Sequence, residues 1–395
     1  MNTAIKNQTL RTLSRLIDQS REQILVANAK DLAMYRDMDP ALIDRLKVDD
    51  AKIDAMVAAV ERVITLEDPQ GKVLYHYQRE DGLLVENRSV PFGTILIIYE
   101  SRPDVTIEAA VTAFKAGNRI LLKGGKESLN TNLHLVDLWQ WALADSGVDT
   151  GFVEYLQMDR EQTQALIRDN THNIDLIIPR GGEKLIEFVQ KNTSVPALIS
   201  GRGNNFLYID IDCDFDMASR IAVDGKQRLS VCNALDKVLL HKDLAELPEK
   251  LDKLIGDLAA LGLTVYGDPA VCALSGRLLA MPGEDMWSEE FLAAKILLGR
   301  VASSDEAISM INQYSGGHSA VIVTENRKLA EEFQQQVDCA AVYHNASSRF
   351  TDGGEFGLGA EIAISTQKLH FRGPVGLGEL VTNKWFIDGQ GQIRE

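Results

Sequence analysis

Cys232 lies in QRLSVCNALDKVLLH, between a helical pattern ending near Gln227 and an apolar strand starting near Lys237. Its neighbours Ser230, Asn233 and Ala234 are small or polar, which leaves space for a substrate beside the sulfur. A thiolate so placed can attack an acyl carbon and hold it as a thioester. The commoner fate of a cysteine is burial as a small hydrophobe, and residue types alone leave both readings open here. Cys213, Cys272 and Cys339 sit in ordinary strand or helix contexts and suit the buried reading. The four cysteines are 19, 40 and 67 residues apart, so no C-x-x-C pair exists for zinc or redox work, and no metal centre is expected.

A second group of residues could hold anions. Lys123 and Lys126 flank Gly124-Gly125 at the exit of the apolar run RILLK. Ligands of parallel sheets collect at the carboxyl ends of strands, so a nucleotide's ribose and phosphate would arrive there. Arg180-Gly181-Gly182 follows IDLIIP and opens a helical pattern, whose N-terminal amides can meet a phosphate. Two lysines beside two glycines are more often a solvated loop, and the Arg180-Gly181-Gly182 turn has a tight connection as its alternative. Arg102, in Tyr99-Glu100-Ser101-Arg102-Pro103, ends another strand and could grip a carboxylate or phosphate, or form a surface ion pair. His318 and Arg349 are further candidates for anion recognition. No G-x-G-x-x-G follows the first strand and no P-loop pattern occurs.

The elements that must position these residues change character along the chain. Residues 3–66 carry apolar positions at helical spacing, among them Leu10, Leu13, Ile17, Ile53, Met56 and Val60. Near residue 72 the period shortens, and VLYHYQR and LLVENRSV flank Glu80-Asp81-Gly82, a hairpin signal. An exposed hairpin is not stable alone, so it is expected to pack on another element or another subunit. From residue 91 strands (TILIIY, RILLK, FVEYL, IDLIIP) alternate with helices at 105–117, about 128–143, about 160–168 and up to Gln190. That alternation predicts a parallel sheet covered on both faces. A second α/β unit is expected after about residue 226, with KVLLHK, LTVYG and AVIVTE as strands and helices at 243–261 and 326–336. The loop NASSRFTDGGEFGLGAEIAIS is long enough to be functional. The tail ELVTNKWFIDGQGQIRE reads as a strand able to pair with the early hairpin.

The chain has 395 residues, with 41 Lys+Arg, 57 Asp+Glu and a formal net charge of −16. Length alone allows two or three domains. The acidic balance argues against a protein that tracks nucleic-acid phosphates. No apolar run approaches membrane-spanning length, and the N-terminus has no signal-peptide core. A cytoplasmic protein with reduced thiols and no membrane association is the expectation.

Together these segments resemble the gamma-glutamyl phosphate reductases of the aldehyde dehydrogenase superfamily. The matching stretches are PFGTILIIYESRPDVTIEAA, KAGNRILLKGGKES, DLIIPRGGEKLI, SVCNALDKVLLH, CAAVYHNASSRFTDGGEFGLGAEIAISTQKLHFRGP and GQGQIR, in the family's order from about residue 90 to the C-terminus. The resemblance implies an aldehyde dehydrogenase-like α/β fold of two parallel-sheet domains plus an oligomerisation hairpin. The expected division is a cofactor-binding domain over 1–226 with the hairpin at about 72–90, and a catalytic domain over 227–345. Residues 346–395 would supply an active-site loop, a return to the cofactor domain and an oligomerisation tail. It implies NADPH-dependent reduction of L-glutamyl 5-phosphate to L-glutamate 5-semialdehyde and phosphate in proline synthesis, through a thioester on Cys232. Lys123 would hold the adenosine ribose, with Lys126 available to a 2′-phosphate. Gly181 and Gly182 would lie beside the pyrophosphate and nicotinamide. Glu290 would position the nicotinamide ribose, with Glu289 equally available. Arg102, His318 and Arg349 would serve the substrate. A homodimer or homotetramer is implied, and association with glutamate 5-kinase would deliver the substrate.

Departures from the family pattern set the alternatives. The superfamily's water-activating glutamate has no counterpart near GRGNNF, which disfavours a plain aldehyde oxidiser. Where the family commonly has Gly-x-Gly-x-Cys-His, this chain reads Gly201-Arg202-Gly203-Asn204-Asn205, and Asp236 replaces a frequent Glu. Arg202 could accommodate an extra carboxylate or an acylated amino group, so an N-acylated glutamyl phosphate is the alternative substrate. A catalytically silent scaffold is the alternative of another class.

Overall fold

The computed structural model describes residues 1–35 and 40–394, and the chain divides into two compact units. Unit 1 comprises 1–199, 357–363 and 375–395, and unit 2 comprises 200–356 and 364–374. The boundary near residue 200 lies upstream of the expected 226. Asn205–Ile209 is the reason: it forms a strand that joins the sheet of unit 2. Periodicity missed it because five consecutive buried residues show no alternation.

Unit 1 opens with helices α1 (Thr3–Gln19), α2 (Arg21–Met34), α3 (Pro40–Leu46) and α4 (Asp50–Thr65). Leu10, Leu13 and Ile17 of α1 are fully buried at helical spacing, as are Ile53, Met56, Val60 and Val63 of α4. Strands β1 (Val73–Gln78) and β2 (Leu84–Pro91) form the hairpin, whose turn carries Gly82 at φ +87°. The nucleotide-type sheet then follows: β3 (Thr94–Tyr99), α5 (Val105–Lys115), β4 (Arg119–Lys123), α6 (Leu129–Asp145), β5 (Val153–Tyr155), α7 (Arg160–Asp169), β6 (Leu176–Arg180) and α8 (Glu183–Asn192). All four strands are parallel, in the order β5-β4-β3-β6. The chain therefore reverses direction across the sheet between β3 and β6, which is where a doubly wound sheet opens its ligand crevice. Leu96, Ile98, Leu121 and Ile177 pack against Leu166, Ile167 and Val189 on one face.

Unit 2 contains β7 (Asn205–Ile209), α9 (Phe215–Gly225), β8 (Leu235–His241), α10 (Leu247–Ala259), β9 (Thr264–Gly267), α11 (Pro269–Cys272), β10 (Leu279–Ala280), β11 (Lys295–Val301), α12 (Ser304–Tyr314), β12 (Ser319–Val323), α13 (Arg327–Gln336) and β13 (Ala341–His344). Its seven-stranded parallel sheet runs β10-β9-β11-β8-β7-β12-β13. Successive residues of β7 serve opposite cores: Leu207 and Ile209 join one cluster, Phe206 and Tyr208 the other. Both faces are thus covered, as expected for a parallel sheet. Two short strands, β14 (Ala363–Ser365) and β15 (Gly373–Val375), pair where the chain passes out of unit 1 and back. The final strand β16 (Val381–Asp388) pairs antiparallel with β2, giving the three-stranded sheet β1-β2-β16, so the tail does pair with the hairpin.

Candidate active site

Each unit carries its own candidate site residues. In unit 1 the anion candidates gather at the carboxyl ends of β3, β4 and β6. Lys123 closes β4, half-buried, with Nζ donating to the Gly124 carbonyl at 2.7 Å, and burial lowers its pKa. Lys126 is exposed at the start of the turn that follows. Gly181 and Gly182 join β6 to α8. The Gly182 amide donates to Glu100 Oε2 at 3.0 Å, so a carboxylate already occupies an amide at this helix start. A Cβ on Gly181 would stand 2.8 Å from the Glu100 carboxyl carbon, so glycine permits the approach. An amide that donates to a carboxylate at the switch point, with two lysines at the carboxyl end of β4, gives groups of the kind that hold the diphosphate and ribose of a nicotinamide dinucleotide.

Arg102 forms an ion pair with Asp104, Nη2 to Oδ2 at 3.0 Å. Sequence reasoning passed over Glu108, on α5. Burial pushes its carboxyl up to about 7, Asp104 adds to the rise, and Arg102, Arg180 and Arg62 oppose it. The signal was present as a carboxylate inside an otherwise apolar helix, VTIEAAVTAF.

In unit 2 the candidate nucleophile, Cys232, lies at the amino-terminal edge of the sheet, just before β8. Val231 accepts a hydrogen bond from the Ala234 amide at 3.1 Å, making a turn with Cys232 at its second position and Asn233 at its third. Cys232 is exposed on this turn, while Asn233 and Ala234 are buried. Asn205, at the start of β7, donates through Nδ2 to the carbonyls of Cys232 (2.8 Å), Ala234 (2.7 Å) and Gly203 (2.9 Å). A Cβ on Gly203 would stand 2.6 Å from the Cys232 Cα, so only glycine lets this strand approach the turn. From the other side, Asn233 Nδ2 donates to the carbonyls of Arg349 (3.0 Å) and Thr351 (3.2 Å), and Ser348 Oγ donates to the Asn233 carbonyl at 2.9 Å. The long Gly/Ser/Thr loop is therefore pinned to the cysteine turn through its own backbone.

Burial separates the other cysteines from Cys232. The thiols of Cys213 and Cys339 are each pushed up to about 11. Cys272, half-buried, is also raised by burial. These groups stay protonated and poorly nucleophilic near neutrality.

His318 is 1% exposed, immediately before β12, and burial lowers its pKa to about 4, leaving a neutral ring. Its Nδ1 lies 2.8 Å from Ser319 Oγ, which continues through Thr351 Oγ1 (2.7 Å) to the Tyr343 hydroxyl (2.7 Å). His318 Nε2, Asn233 Oδ1, Asn205 Oδ1 and Arg349 Nε are buried without a hydrogen-bond partner. Groups of this kind around a reactive turn are where a polar ligand or water would be accommodated. Glu290 lies in the segment between Trp287 and β11, whereas Glu289 pairs with Lys295 at 2.6 Å. Arg202 donates through Nη1 to the Ser288 carbonyl at 3.2 Å.

Sequence reasoning missed Asn204, Asn205 and Lys237. Asn204 donates to the carbonyls of Trp287 and Tyr314, both at 2.7 Å. Lys237, fully buried on β8, donates to Asn204 Oδ1 (2.7 Å) and the Glu289 carbonyl (2.8 Å), and burial lowers its pKa to about 7. A lysine inside the apolar strand LDKVLLH was the available signal.

Comparison with known proteins agrees with this architecture. The model of the "Aldehyde dehydrogenase family" matches residues 3–265 and 280–359. A gamma-glutamyl phosphate reductase of Gloeobacter violaceus is 44% identical over 99% of this chain and 93% of its own length. One from Caldicellulosiruptor bescii is 43% identical over 99% and 94%. The crystal structure of a gamma-glutamyl phosphate reductase from Thermotoga maritima superposes with a TM-score of 0.95, at 41% identity, over 100% of this chain and 95% of that one. At 16% identity, the NADP complex of a glyceraldehyde-3-phosphate dehydrogenase from Methanocaldococcus jannaschii shares the fold, with a TM-score of 0.69 over 99% and 90%. With its cysteine turn, its two parallel-sheet units and this full-length identity, the chain belongs to the gamma-glutamyl phosphate reductases of the aldehyde dehydrogenase family.

Proposed function

We propose that this enzyme reduces L-glutamyl 5-phosphate to L-glutamate 5-semialdehyde and phosphate, with NADPH as reductant, in proline biosynthesis. The observation that carries the reading is the exposed Cys232 on a turn fixed from both sides by Asn205 and the 347–351 loop. Its thiolate attacks the γ-carbonyl carbon, the C–O bond to phosphate breaks, and a thioester remains. Phosphate departs with its own charge, so no base is needed to activate water. That is consistent with the missing glutamate near GRGNNF. A nicotinamide dinucleotide, when bound, supplies the hydride. The thioester carbon, once reduced, expels the Cys232 sulfur and the aldehyde leaves.

Lys123, Lys126, Gly181 and Gly182 are proposed to hold the dinucleotide, with Lys126 available to a 2′-phosphate and Glu290 to the nicotinamide ribose. His318 and Arg349 are the proposed polar contacts for substrate, since each presents a buried nitrogen lacking a protein partner. Arg102, already paired to Asp104, would reach substrate by exchanging that carboxylate. Arg202 supports the segment at Ser288, which favours the unmodified substrate over an N-acylated one. Self-association through the β1-β2-β16 sheet and a cytoplasmic setting complete the reading.

The test is phosphate-dependent reduction of NADP by glutamate semialdehyde, in wild type and in Cys232→Ser. The substitution should lower turnover at least about a thousandfold. Retained activity in that variant would remove the covalent mechanism, and an inactive wild type would favour the scaffold reading.

A further inference from the structure

Four side chains from the amino-terminal edge of the unit 2 sheet converge on one five-residue backbone, Trp287–Phe291. Asn204 Nδ2 donates to the Trp287 carbonyl at 2.7 Å, and Arg202 Nη1 to the Ser288 carbonyl at 3.2 Å. Lys237 Nζ donates to the Glu289 carbonyl at 2.8 Å, and the Phe291 amide donates to Asp236 Oδ2 at 2.7 Å. The anchors are themselves cross-linked. Lys237 also donates to Asn204 Oδ1 at 2.7 Å, and Asp236 Oδ1 accepts from Lys226 at 2.5 Å. Phe291 closes the arrangement, its ring centroid 3.5 Å from Lys237 Nζ.

The placement of this network is informative. Lys226, Asp236 and Lys237 are each almost wholly buried, and burying charges costs stability unless every one is paired and hydrogen-bonded. Apolar residues would serve a purely structural core at lower cost. Here the charges end on backbone groups of a segment that has no regular secondary structure beyond Trp287 and so cannot satisfy its own carbonyls and amides. One of the four anchors, Asp236, stands where the family pattern frequently has Glu.

We propose that Arg202, Asn204, Asp236 and Lys237 act as one set of positioning residues, locking the Trp287–Phe291 backbone so that Glu290 is presented to the cofactor's nicotinamide ribose. This rests on the assignment of Glu290 in the proposed function. The four act through Glu290 and touch no reacting atom.

The experiment is a fluorescence titration of the full-length enzyme with NADPH, without acyl phosphate, in a double-mutant cycle. Glu290→Gln should raise the dissociation constant about tenfold. Lys237→Met should raise it by a similar factor alone, and add less than about twofold in the Glu290→Gln background. Lys237→Arg, which keeps the donors, should recover most of the loss. Should Lys237→Met fail to fold, the exposed Arg202→Ala removes only the Ser288 anchor, and its smaller effect, about threefold, should vanish in the same background. Equal losses in both backgrounds would overturn the proposal, as would unchanged affinity in Glu290→Gln. An enzyme that binds NADPH normally but lacks reductase activity would overturn the proposed reaction, while the titration would still decide this inference.

Discussion

A buried neutral histidine and a turn-mounted cysteine stand in the same unit for opposite electrostatic reasons. Cys232 is exposed, whereas Cys213 and Cys339 have thiols pushed to about 11 by burial. Alkylation by a small haloacetamide near pH 8 should therefore modify Cys232 first, read as a single mass increment on the peptide that contains it. Modification of Cys339 ahead of Cys232 would contradict the arrangement. His318 gives the matching prediction for acid. Its folded pKa is about 4 against an ordinary 6.5, so below pH 6.5 the unfolded chain binds the extra proton and the folded chain does not. Stability is intact above pH 6.5 and falls as pH drops towards 4. Over that interval of about 2.5 pH units, at about 1.4 kcal/mol each, the loss approaches about 3 kcal/mol. His318→Asn should flatten that part of the profile, seen as urea midpoints at pH 7 and pH 4.5. An identical acid loss in the variant would show that other groups carry it.

At the scale of elements, β7 holds the turn that carries Cys232, the proposed nucleophile. Asn205 holds the Cys232 and Ala234 carbonyls, and Gly203 makes room for the turn. Gly203→Ala forces a Cβ against the Cys232 backbone and should displace the sulfur without disturbing the lysines of unit 1. Turnover should fall about a hundredfold while NADPH affinity is unchanged, checked by steady-state rates beside a fluorescence titration. Normal turnover would mean the turn can shift without consequence. The same strand shows a limit of pattern reading. Its five residues, NFLYI, are buried on both faces, so period-two alternation is absent. Lys237 was legible only as an oddity, since its role depends on Asn204 and Glu289, 33 and 52 residues away.

For the molecule as a whole, the β1-β2-β16 sheet leaves Tyr75, Tyr77, Trp385 and Ile387 about half exposed, with the Tyr75 and Trp385 rings edge-on at 5.7 Å. We propose this exposed apolar face as the surface of self-association. Light scattering should show an oligomer for the wild type and a shift to smaller species for Trp385→Glu, with secondary structure retained. An unchanged mass in the variant would place the association elsewhere. The core offers a control on folding. Leu207→Ala, at a fully buried β7 position, should cost about 2–5 kcal/mol of unfolding free energy by denaturant titration.

Local order was written plainly in the sequence. Apolar runs marked β3, β4, β6, β8 and β12, helical spacing marked α1 and α4, and the strand read in the tail does pair with the hairpin. These readings succeed because periodicity and turn chemistry are properties of neighbours along the chain. Cys232 and the two glycine-pair loops, Lys123–Lys126 and Arg180–Gly182, were legible as residue types at strand boundaries. Their supports were not. Asn205 meeting Cys232, Asn233 meeting the 349–351 backbone, and Lys237 meeting the Glu289 carbonyl join residues 27 to 118 positions apart. The strand order β10-β9-β11-β8-β7-β12-β13 brings those partners to one sheet edge. No spacing along the chain encodes that order, because it is settled by which buried faces pack together.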